Sequence, residues 1–331
     1  MSGSKEIRCA AIGYGATFNM GKCHAGWSQS AGLKFVAACD ILPERCKAAE
    51  EENPGIKSYT DYKEMLAKED FDLAIVILPH DIHASVTVDC LNAGKHVVCE
   101  KPMCLSKEEA DSMINAAKGS GKMLAIFQNR RWDGDFMTIR ELVQQGMIGD
   151  VVHVELCIGN YSKPSTWWRS DKKIGGGILY DWGAHMIDWT LHIVNSEPVS
   201  VFGSLYKGSW PDVTAEDHGQ AIVKFANGAT LDLQVSTIAS VTKPKWRILG
   251  SKGGITTDWG KPITVTVDHE GHLATFDVQP KKDDWEAFYR NVNAHLTKGE
   301  ELICKPEQSR KVIAIIDAAE RSAATGKSES L

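Results

Sequence analysis

The sequence predicts an α/β fold, with an N-terminal doubly wound parallel sheet and a C-terminal α+β domain built on a large, open, mostly antiparallel sheet. Apolar runs and helix-prone segments alternate over residues 7–127, as they do in βαβ units. Residues 73–78 form an unbroken apolar run, which is typical of a strand buried on both faces. After about residue 150, short alternating strands replace this pattern. We expect domains 1–126 and 127–331, with the C-terminal helix able to pack back on the first.

The first domain contains the βαβ elements in order. Strands are predicted over 7–13, 33–39, 73–78, 94–99 and 123–127. Helices are predicted from Lys22, over 43–52, from Asp61, over 83–92 and from Ser106. Ser106 and Glu109 have the spacing of a capping box, which supports the last of these starts. Strands and helices in this alternation predict right-handed crossovers.

The second domain reads as a series of half-buried strands. They are predicted over 151–158, 199–206, 220–225, 230–235, 246–249, 255–257, 263–267 and 273–278. Asn227-Gly228 marks a hairpin turn between two of them. Helices follow over 285–296 and 307–324. A sheet with one free face is commonly an oligomer interface, so we expect a homodimer or homotetramer formed through it.

Composition excludes several classes of protein. Of 331 residues, 43% are apolar and 24% charged, as in soluble globular proteins. A net charge of −6 argues against nucleic-acid binding, and the basic cluster 243–247 is interpreted as solvated strand ends. No apolar run approaches the ~20 residues that span a bilayer, and the short polar N-terminus has no signal core. We expect a cytoplasmic protein with no membrane partner.

The cysteines indicate neither disulfides nor a metal site. There are nine of them, scattered without framework spacing, so reduced thiols are expected. Cys99 and Cys104 flank one motif, and His80 and His83 lie three apart, but neither pair has a zinc spacing. No metal is predicted.

Gly13-Tyr14-Gly15 follows a strand and precedes a helix, which is the context of a Rossmann dinucleotide fingerprint. A third glycine is expected at position 18, but Phe18 stands there and Gly21 comes later, so the loop is about three residues longer than usual. Asp40 ends the second strand, where a carboxylate accepts from both ribose hydroxyls and repels a 2′-phosphate. This favours NAD over NADP, although Asp40 can also be a helix cap. Arg45 leaves a phosphate-binding alternative open.

Glu100-Lys101-Pro102 stands where the strand 94–99 ends, at the edge of the sheet where ligands bind. A Lys-Pro bond can be held cis. There the Lys101 ammonium can donate to an oxygen undergoing oxidation or reduction and stabilise its developing charge. The alternative is an ordinary surface lysine paired with Glu100 or Asp111.

A glycine run, 175–177, precedes a second polar group. Asp181 and His185 are four apart, so a helix would place them on one face as a proton-transfer pair. The alternative is a core helix with a satisfied buried histidine. The segment 167–169 offers an aromatic wall and a cation to a sugar ring. The side chains proposed to line this pocket are Trp168, Arg169, Arg131 and Trp132. These tryptophans can instead be simply buried.

Together, the motifs resemble the glucose–fructose oxidoreductase/inositol 2-dehydrogenase/rhizopine catabolism (Gfo/Idh/MocA) family over nearly the whole chain. The resemblance rests on the glycine loop, the segments 78–84 and 129–132, the Glu-Lys-Pro motif and the segment 175–185. It implies a Rossmann domain followed by an oligomerising domain, with the substrate pocket between them.

The same resemblance implies roles for individual residues. Lys101 would polarise the reacting oxygen, His185 would transfer the proton, and Asp181 would orient the histidine or bind a neighbouring hydroxyl. Glu100 would touch the nicotinamide side of the cofactor. Three more cofactor contacts are implied: Pro79, His80, which replaces a usual asparagine, and His83.

The sequence therefore predicts an NAD-dependent oxidoreductase acting on a hydroxyl or keto carbon of a sugar, inositol or sugar derivative. One alternative is an NADPH-dependent keto-sugar reductase. The other is a catalytically silent NAD(H)-binding sensor, which would have no need of Lys101, Asp181 and His185 as a set.

Overall fold

The structure is a computed structural model that describes residues 6–15, 19–165 and 167–331. It divides into two compact units. The first comprises Met1–Asn129 and Trp285–Arg310, and the second comprises Arg130–Asp284 and Lys311–Leu331. The sequence predicted a boundary after residue 126; the first compact unit runs to Asn129 and also contains residues 285–310.

The described residues form fifteen strands and ten α-helices. The strands are β1 Arg8–Ile12, β2 Lys34–Cys39, β3 Lys57–Tyr59, β4 Leu73–Val76, β5 His96–Cys99, β6 Leu124–Ile126, β7 Val151–Gly159, β8 Pro198–Tyr206, β9 His218–Phe225, β10 Thr230–Ser236, β11 Trp246–Gly250, β12 Gly253–Thr257, β13 Ile263–His269, β14 His272–Val278 and β15 Glu329–Ser330. The helices are α1 Met20–Ser30, α2 Pro43–Glu52, α3 Tyr62–Lys68, α4 His83–Asn92, α5 Lys107–Ser120, α6 Gly134–Gln144, α7 Lys172–Gly175, α8 Ala184–Val194, α9 Glu286–Lys298 and α10 Pro306–Thr325.

The first unit is built on a six-stranded sheet in the order β3-β2-β1-β4-β5-β6. Every pairing in it is parallel, which confirms the predicted doubly wound sheet. Strand order reverses between β1 and β4, and ligands of such sheets bind outside the carboxyl ends of the strands at this switch point. The carboxyl ends of β1, β2, β4 and β5 lead directly into the glycine loop, Asp40, Pro79 and the Glu100-Lys101 motif respectively.

Local sequence explains where the helices of this unit begin. Asp61 caps α3 by accepting a hydrogen bond from Lys63 N at 2.8 Å. Ser106 Oγ accepts from Glu109 N at 3.2 Å at the start of α5, as the capping box predicts. The Glu109 carboxylate accepts a hydrogen bond from Leu105 N at 2.9 Å. The capping box specifies the N–H of the N-cap residue Ser106, which is one residue later.

The second unit contains a nine-stranded sheet in the order β14-β13-β12-β11-β7-β10-β9-β8-β15. Only the β7–β10 pair is parallel among the pairings in the described residues, which confirms a mostly antiparallel sheet. Along β9 and β10, alternate residues such as Val223, Leu231 and Leu233 are buried, and the residues between them face outwards. The face that Val223 and Leu233 occupy therefore carries the core of this unit.

The opposite face of this sheet leaves large apolar side chains exposed. They include Phe202, Tyr206, Ile222 and Leu249, each between 37% and 52% exposed. In the described part of the chain, no helix is long and apolar enough to span a bilayer. All nine cysteines are free thiols.

Candidate active site

The loop after β1 brings the main chain close to the neighbouring strand. Gly13 and Gly15 have positive φ angles of 88° and 64°, which glycine adopts without steric cost. A Cβ atom at Gly13 would lie 2.0 Å from the carbonyl oxygen of Ile77, just past β4. A side chain at this position would displace the backbone, so the tight approach requires glycine. Phe18 and its two preceding residues lie outside the described residues.

Gly21 performs the packing expected of the third glycine of the fingerprint. It lies in the first turn of α1, where a Cβ atom would stand 2.3 Å from the Tyr14 carbonyl oxygen. The absence of a side chain therefore lets α1 start directly against the glycine loop. Spacing alone did not assign this role, because Gly21 stands later than the usual position.

Asp40 faces the glycine loop from the end of β2. Its Oδ2 accepts from Tyr14 N at 3.0 Å and from Gly15 N at 2.8 Å, and its Oδ1 accepts from Leu42 N at 3.0 Å. The alternative role as a cap of α2 is wrong, since Leu42 is the N-cap residue. The carboxylate instead ties the two turns together.

Tyr14 presents its backbone, and not its ring, to this loop. The side chain is 1% exposed, and its hydroxyl donates to Glu52 Oε2 at 2.7 Å while accepting from Asn53 Nδ2 at 2.9 Å. Burial and the Glu52 carboxylate raise the pKa of Tyr14. The predicted cofactor contact of Tyr14 is therefore restricted to its main chain. Arg45 extends from α2 towards the start of α1, where its Nη2 lies 3.4 Å from Asn19 Oδ1.

The Lys101-Pro102 peptide bond is cis, as the sequence allowed. The Glu100 carboxylate beside it is held at both oxygens: Oε1 lies 2.9 Å from His24 Nε2, and Oε2 accepts from Lys101 N at 2.9 Å. Burial would raise the pKa of Glu100, but the His24 hydrogen bond and the nearby positive charge outweigh burial and lower it. Glu100 thus supports the Lys101 loop, and its contact with the nicotinamide side of the cofactor stays a prediction.

The alternative partner proposed for Lys101 is already engaged. Asp111 accepts a bidentate pair of hydrogen bonds from Arg310, and the Nη2–Oδ2 bond is 2.9 Å long. These bonds lower the pKa of Asp111.

The two histidines after β4 are both buried. His83 is fully buried, with Nδ1 2.8 Å from the Pro102 carbonyl oxygen and Nε2 2.7 Å from the Leu78 carbonyl oxygen. Burial lowers the pKa of its ring. His83 therefore joins the end of β4 to the lysine loop, and its contact with a cofactor stays a prediction. His80 is 5% exposed beside it and opens a short 3₁₀ helix just after Pro79.

In the second unit, the glycine run is fitted around a buried carboxylate. Gly177 has φ +106°, and a Cβ atom there would lie 2.4 Å from both oxygens of Glu216. Glu216 is 4% exposed, and Lys172 Nζ lies 3.4 Å from its Oε2 and 2.8 Å from Glu320 Oε1. Burial opposes the shift, but the two carboxylates raise the pKa of Lys172. Sequence analysis did not identify this cluster, whose members are far apart along the chain.

Asp181 and His185 lie on a helix that changes type between them. Residues Leu179–Gly183 form a π-helix, and α8 begins at Ala184. The argument from four-residue α-helical spacing therefore does not hold as stated, because a π-turn is wider. Such π-segments occur frequently at functional sites. His185 is 3% exposed and Asp181 is half-buried.

Trp168 and Arg169, which the sequence predicts to line a substrate pocket, form a group with Asp181. Arg169 Nε donates to Asp181 Oδ2 at 3.1 Å, and the guanidinium lies 4.5 Å from the centre of the Trp168 ring. Gly175 permits this arrangement, since a Cβ atom there would be 2.1 Å from the Trp168 carbonyl oxygen. The sequence placed these residues near one another but did not predict the contact between Arg169 and Asp181.

Arg131 is not available as a solvent-facing substrate contact. It is 3% exposed and makes a bidentate pair with Asp188, at 2.8 Å from Nε to Oδ2 and 2.7 Å from Nη2 to Oδ1. A buried guanidinium requires such a partner, and the role of Arg131 in lining a substrate pocket stays a prediction. Burial and the Arg131 charge lower the pKa of nearby His192 to about 4. Trp132 is half-buried, and its carbonyl oxygen accepts from Asp284 N at 3.0 Å.

Aromatic rings surround His185. Its ring lies 6.0 Å from that of Trp182 and stacks on that of Trp189 at 6.2 Å. Trp182 in turn makes an edge contact with Trp259 at 5.8 Å. Lys245 Nζ stands 3.9 Å from the Trp259 ring centre and 4.6 Å from that of Trp189.

The burial of Lys245 corrects the interpretation of the basic cluster. Lys245 is 1% exposed and pairs with Asp135 Oδ2 at 2.7 Å, so it is not a solvated strand end. Lys243 and Arg247, by contrast, are about half exposed and both pair with Glu155. Among the residues that the structure describes, no group of three or more acidic, histidine or cysteine side chains is arranged to hold a metal ion.

The parallel sheet, its glycine loop and the acidic residue after β2 define a dinucleotide-binding protein of the Rossmann class. Residues 7–128 match the model of an oxidoreductase family with an NAD-binding Rossmann fold, and residues 136–256 match the GFO/IDH/MocA C-terminal domain. The chain belongs to the Gfo/Idh/MocA family and is an NAD-binding oxidoreductase.

Relatives extend this result. An uncharacterized oxidoreductase, C115.03, of Schizosaccharomyces pombe is 34% identical over 60% of the chain and 56% of its own length, so the match spans little more than half of that relative. The scyllo-inositol 2-dehydrogenase (NADP(+)) IolW of Bacillus subtilis is 26% identical over 85% of each chain. The solved structure of an NAD-binding protein from Listeria innocua is 30% identical, covers 98% of this chain and 97% of its own, and has a TM-score of 0.88.

Proposed function

We propose that the protein is an NAD-dependent oxidoreductase acting on a hydroxyl or keto carbon of a sugar, inositol or sugar derivative. One observation carries the proposal. The glycine loop, Asp40 and the Lys101 loop all follow the carboxyl ends of strands in one parallel sheet, where nucleotides bind such sheets. The inositol dehydrogenase of B. subtilis supports the substrate class.

The first unit contains groups that fit a dinucleotide. A Cβ atom at Gly13 would collide with the Ile77 carbonyl oxygen, so the main chain at this turn stays bare, and α1 begins at Met20, after the glycine loop. Asp40 would meet the adenosine ribose. When bound, the nicotinamide supplies the hydride acceptor or donor. The family assignment leaves the choice between NAD and NADP to experiment.

Two side chains would act on the reacting oxygen. The Lys101 ammonium would donate a hydrogen bond to it and stabilise alkoxide charge. His185 would take the proton from the hydroxyl in oxidation and return it in reduction. Asp181, whose carboxylate is held by Arg169, would orient the histidine or bind a neighbouring hydroxyl. Trp168 offers an apolar ring face to a sugar.

A second candidate is an NADPH-dependent keto-sugar reductase. Two observations favour it: the B. subtilis relative is named for NADP(+), and Arg45 lies beside the start of α1. The two candidates differ in the predicted effect of Asp40→Ser. If Asp40 selects NAD, this change lowers the ratio of kcat/KM for NAD to kcat/KM for NADP by roughly 10-fold or more, since a repulsive carboxylate is removed. An unchanged ratio would contradict the Asp40 argument.

We also propose that the protein forms a homodimer or homotetramer through the outer face of its nine-stranded sheet. The exposed apolar residues Phe202, Ile222 and Leu249 support this surface as the contact. Sedimentation of the wild type and of Ile222→Lys measures it. A cytosolic location is proposed as well, since nine free thiols suit a reducing compartment.

The main proposal is tested by a substrate screen of the wild type and by substitution of Lys101. Purified protein is offered NAD or NADP with a panel of aldoses, inositols, polyols and sugar acids, and NADH or NADPH fluorescence is followed. Lys101→Met should lower kcat roughly 10²- to 10³-fold and leave NADH affinity within about threefold. Lys107→Met, a nearby exposed lysine on α5, is the control. Equal turnover by Lys101→Met would refute the mechanism. NADH binding with no turnover across the panel would favour the silent sensor.

A further inference from the structure

A chain of buried polar groups runs behind the Lys101 loop. Tyr289 Oη on α9 lies 2.6 Å from His24 Nδ1 on α1. His24 Nε2 lies 2.9 Å from Glu100 Oε1, and Glu100 Oε2 accepts from Lys101 N at 2.9 Å. His24 and Tyr289 are both fully buried. Three side chains from three separate segments thus lead to the main-chain N–H of Lys101.

One tautomer of His24 satisfies every group in this chain. Burial raises the pKa of Tyr289 well above its usual value, so its hydroxyl keeps its proton. In the tautomer with the ring proton on Nε2, His24 accepts from Tyr289 at Nδ1 and donates to Glu100. Each group therefore has one consistent hydrogen-bonding direction.

Aromatic rings pack against the ring of His24, which donates to Glu100 in this chain. Its ring lies 4.4 Å from that of Phe127 and 5.6 Å from that of Trp27. A buried carboxylate needs charge-assisted donors, because an unpaired one is strongly penalised. The titratable groups that face Glu100 from the packed segments are His24, Tyr289, Lys101, Cys99 and His83.

We propose that His24, oriented by Tyr289, is a positioning residue for Lys101: it holds the Glu100 carboxylate, which in turn holds the Lys101 main-chain N–H. The inference rests on the proposed function for the role of the Lys101 ammonium. The held N–H fixes where that side chain starts.

Two amide variants separate hydrogen bonding from packing. His24→Gln places an amide nitrogen where Nε2 stands and can still donate to Glu100. His24→Asn is one carbon shorter, so its amide reaches only the Nδ1 position beside Tyr289. Both variants are neutral and polar, and they differ mainly in whether Glu100 keeps its donor.

The first measurement needs no substrate. Hydrogen–deuterium exchange at the Lys101 amide, read by mass spectrometry of the whole protein, should accelerate about 10-fold or more in His24→Asn, because an unsupported Glu100 releases that N–H. The same amide in His24→Gln should exchange within about threefold of the wild-type rate. Equal exchange in both variants, whether slow or fast, overturns the inference.

The second measurement is turnover with the substrate found in the screen. His24→Asn should lower kcat roughly 10- to 100-fold with the substrate KM nearly unchanged. The acid limb of its kcat/KM–pH profile should also lie at higher pH than that of the wild type, because Glu100 protonates more readily without its donor. His24→Gln should retain the wild-type profile.

The outcomes separate this inference from the function on which it rests. The positioning role is overturned if the Lys101 amide exchanges faster in His24→Asn than in His24→Gln while His24→Asn keeps the wild-type kcat. If the two variants differ in exchange at the Lys101 amide but the wild type turns over no substrate of the panel, the proposed chemistry is refuted. The structural link from His24 to the Lys101 main chain is then still supported.

Discussion

Replacing Asp188 by alanine should destabilise the second unit strongly. Asp188 and Arg131 are each 2% exposed at their side chains and share two hydrogen bonds. The variant leaves a guanidinium that cannot lose its charge at any working pH. Both side chains are only 2% exposed, so bulk water does not take the place of the lost carboxylate. The cost is therefore that of a buried unpaired cation.

The structure sets the magnitude. Breaking one side of a buried ion pair costs about 3–5 kcal/mol. For domains of about 150–250 residues, each kcal/mol moves Tm by roughly 2–4 °C. We expect the transition of this unit to fall by roughly 6–20 °C. The double change Asp188→Leu with Arg131→Met should recover most of this loss, because buried pairs can be replaced by apolar residues at little cost.

Differential scanning calorimetry and urea unfolding followed by tryptophan fluorescence measure the effect. Asp317→Ala is the matched control. It removes another Arg–Asp pair, in which Arg321 Nη1 lies 2.9 Å from Asp317 Oδ2 and the arginine side chain is 50% exposed. That change should cost less than about 1 kcal/mol. A loss for Asp188→Ala as small as the control would refute the reasoning, as would a double variant no more stable than the single one.

The remaining predictions concern the glycine loop and a buried carboxylate. Gly21→Ala should weaken NADH binding at least about 10-fold, because its Cβ atom would stand 2.3 Å from the Tyr14 carbonyl oxygen. Gly26→Ala on the same helix meets nothing within 4 Å and should stabilise by up to about 1 kcal/mol; fluorescence titration and thermal melts compare the two. Asp217 is fully buried, and although burial opposes the shift, donors including Lys207 lower its pKa. It therefore contributes stability above its unfolded pKa that is lost as pH falls through the folded value. Asp217→Asn should lower stability at pH 7 and flatten the acid limb of the stability–pH curve, and an unchanged acid limb would contradict this assignment.

Much of the fold follows from local sequence. The bounds of α2 and α4 agree with the predicted ranges, since Pro43 begins one and Gly94 follows the end of the other. The helix α6 was not predicted. Its first residue, Gly134, reads as a turn, but a Cβ atom there would lie 1.8 Å from the Lys281 carbonyl oxygen, so a distant segment fixes this start. The edge strand β3 has only three residues, too few for a recognisable pattern.

The candidate site could be predicted only in part, for the same reason. Motifs identified Lys101, Asp181 and His185, which carry their own local signals. His24 and Tyr289 are 265 positions apart, and nothing local marks them as partners. Lys245 likewise owes its burial to Asp135, which stands 110 positions earlier. Supporting contacts depend on tertiary structure, and a single sequence does not reveal them.

The return of Trp285–Arg310 to the first unit has a consequence for biosynthesis. Domains generally fold as they leave the ribosome, N-terminal first. Here Tyr289 and Phe288 are translated only after the whole nine-stranded sheet except β15. Until then, His24 lacks its tyrosine and Phe127 lacks the ring that packs on it at 4.8 Å. The aromatic surface of the nascent N-terminal unit therefore stays uncovered until about the last seventh of the chain is translated.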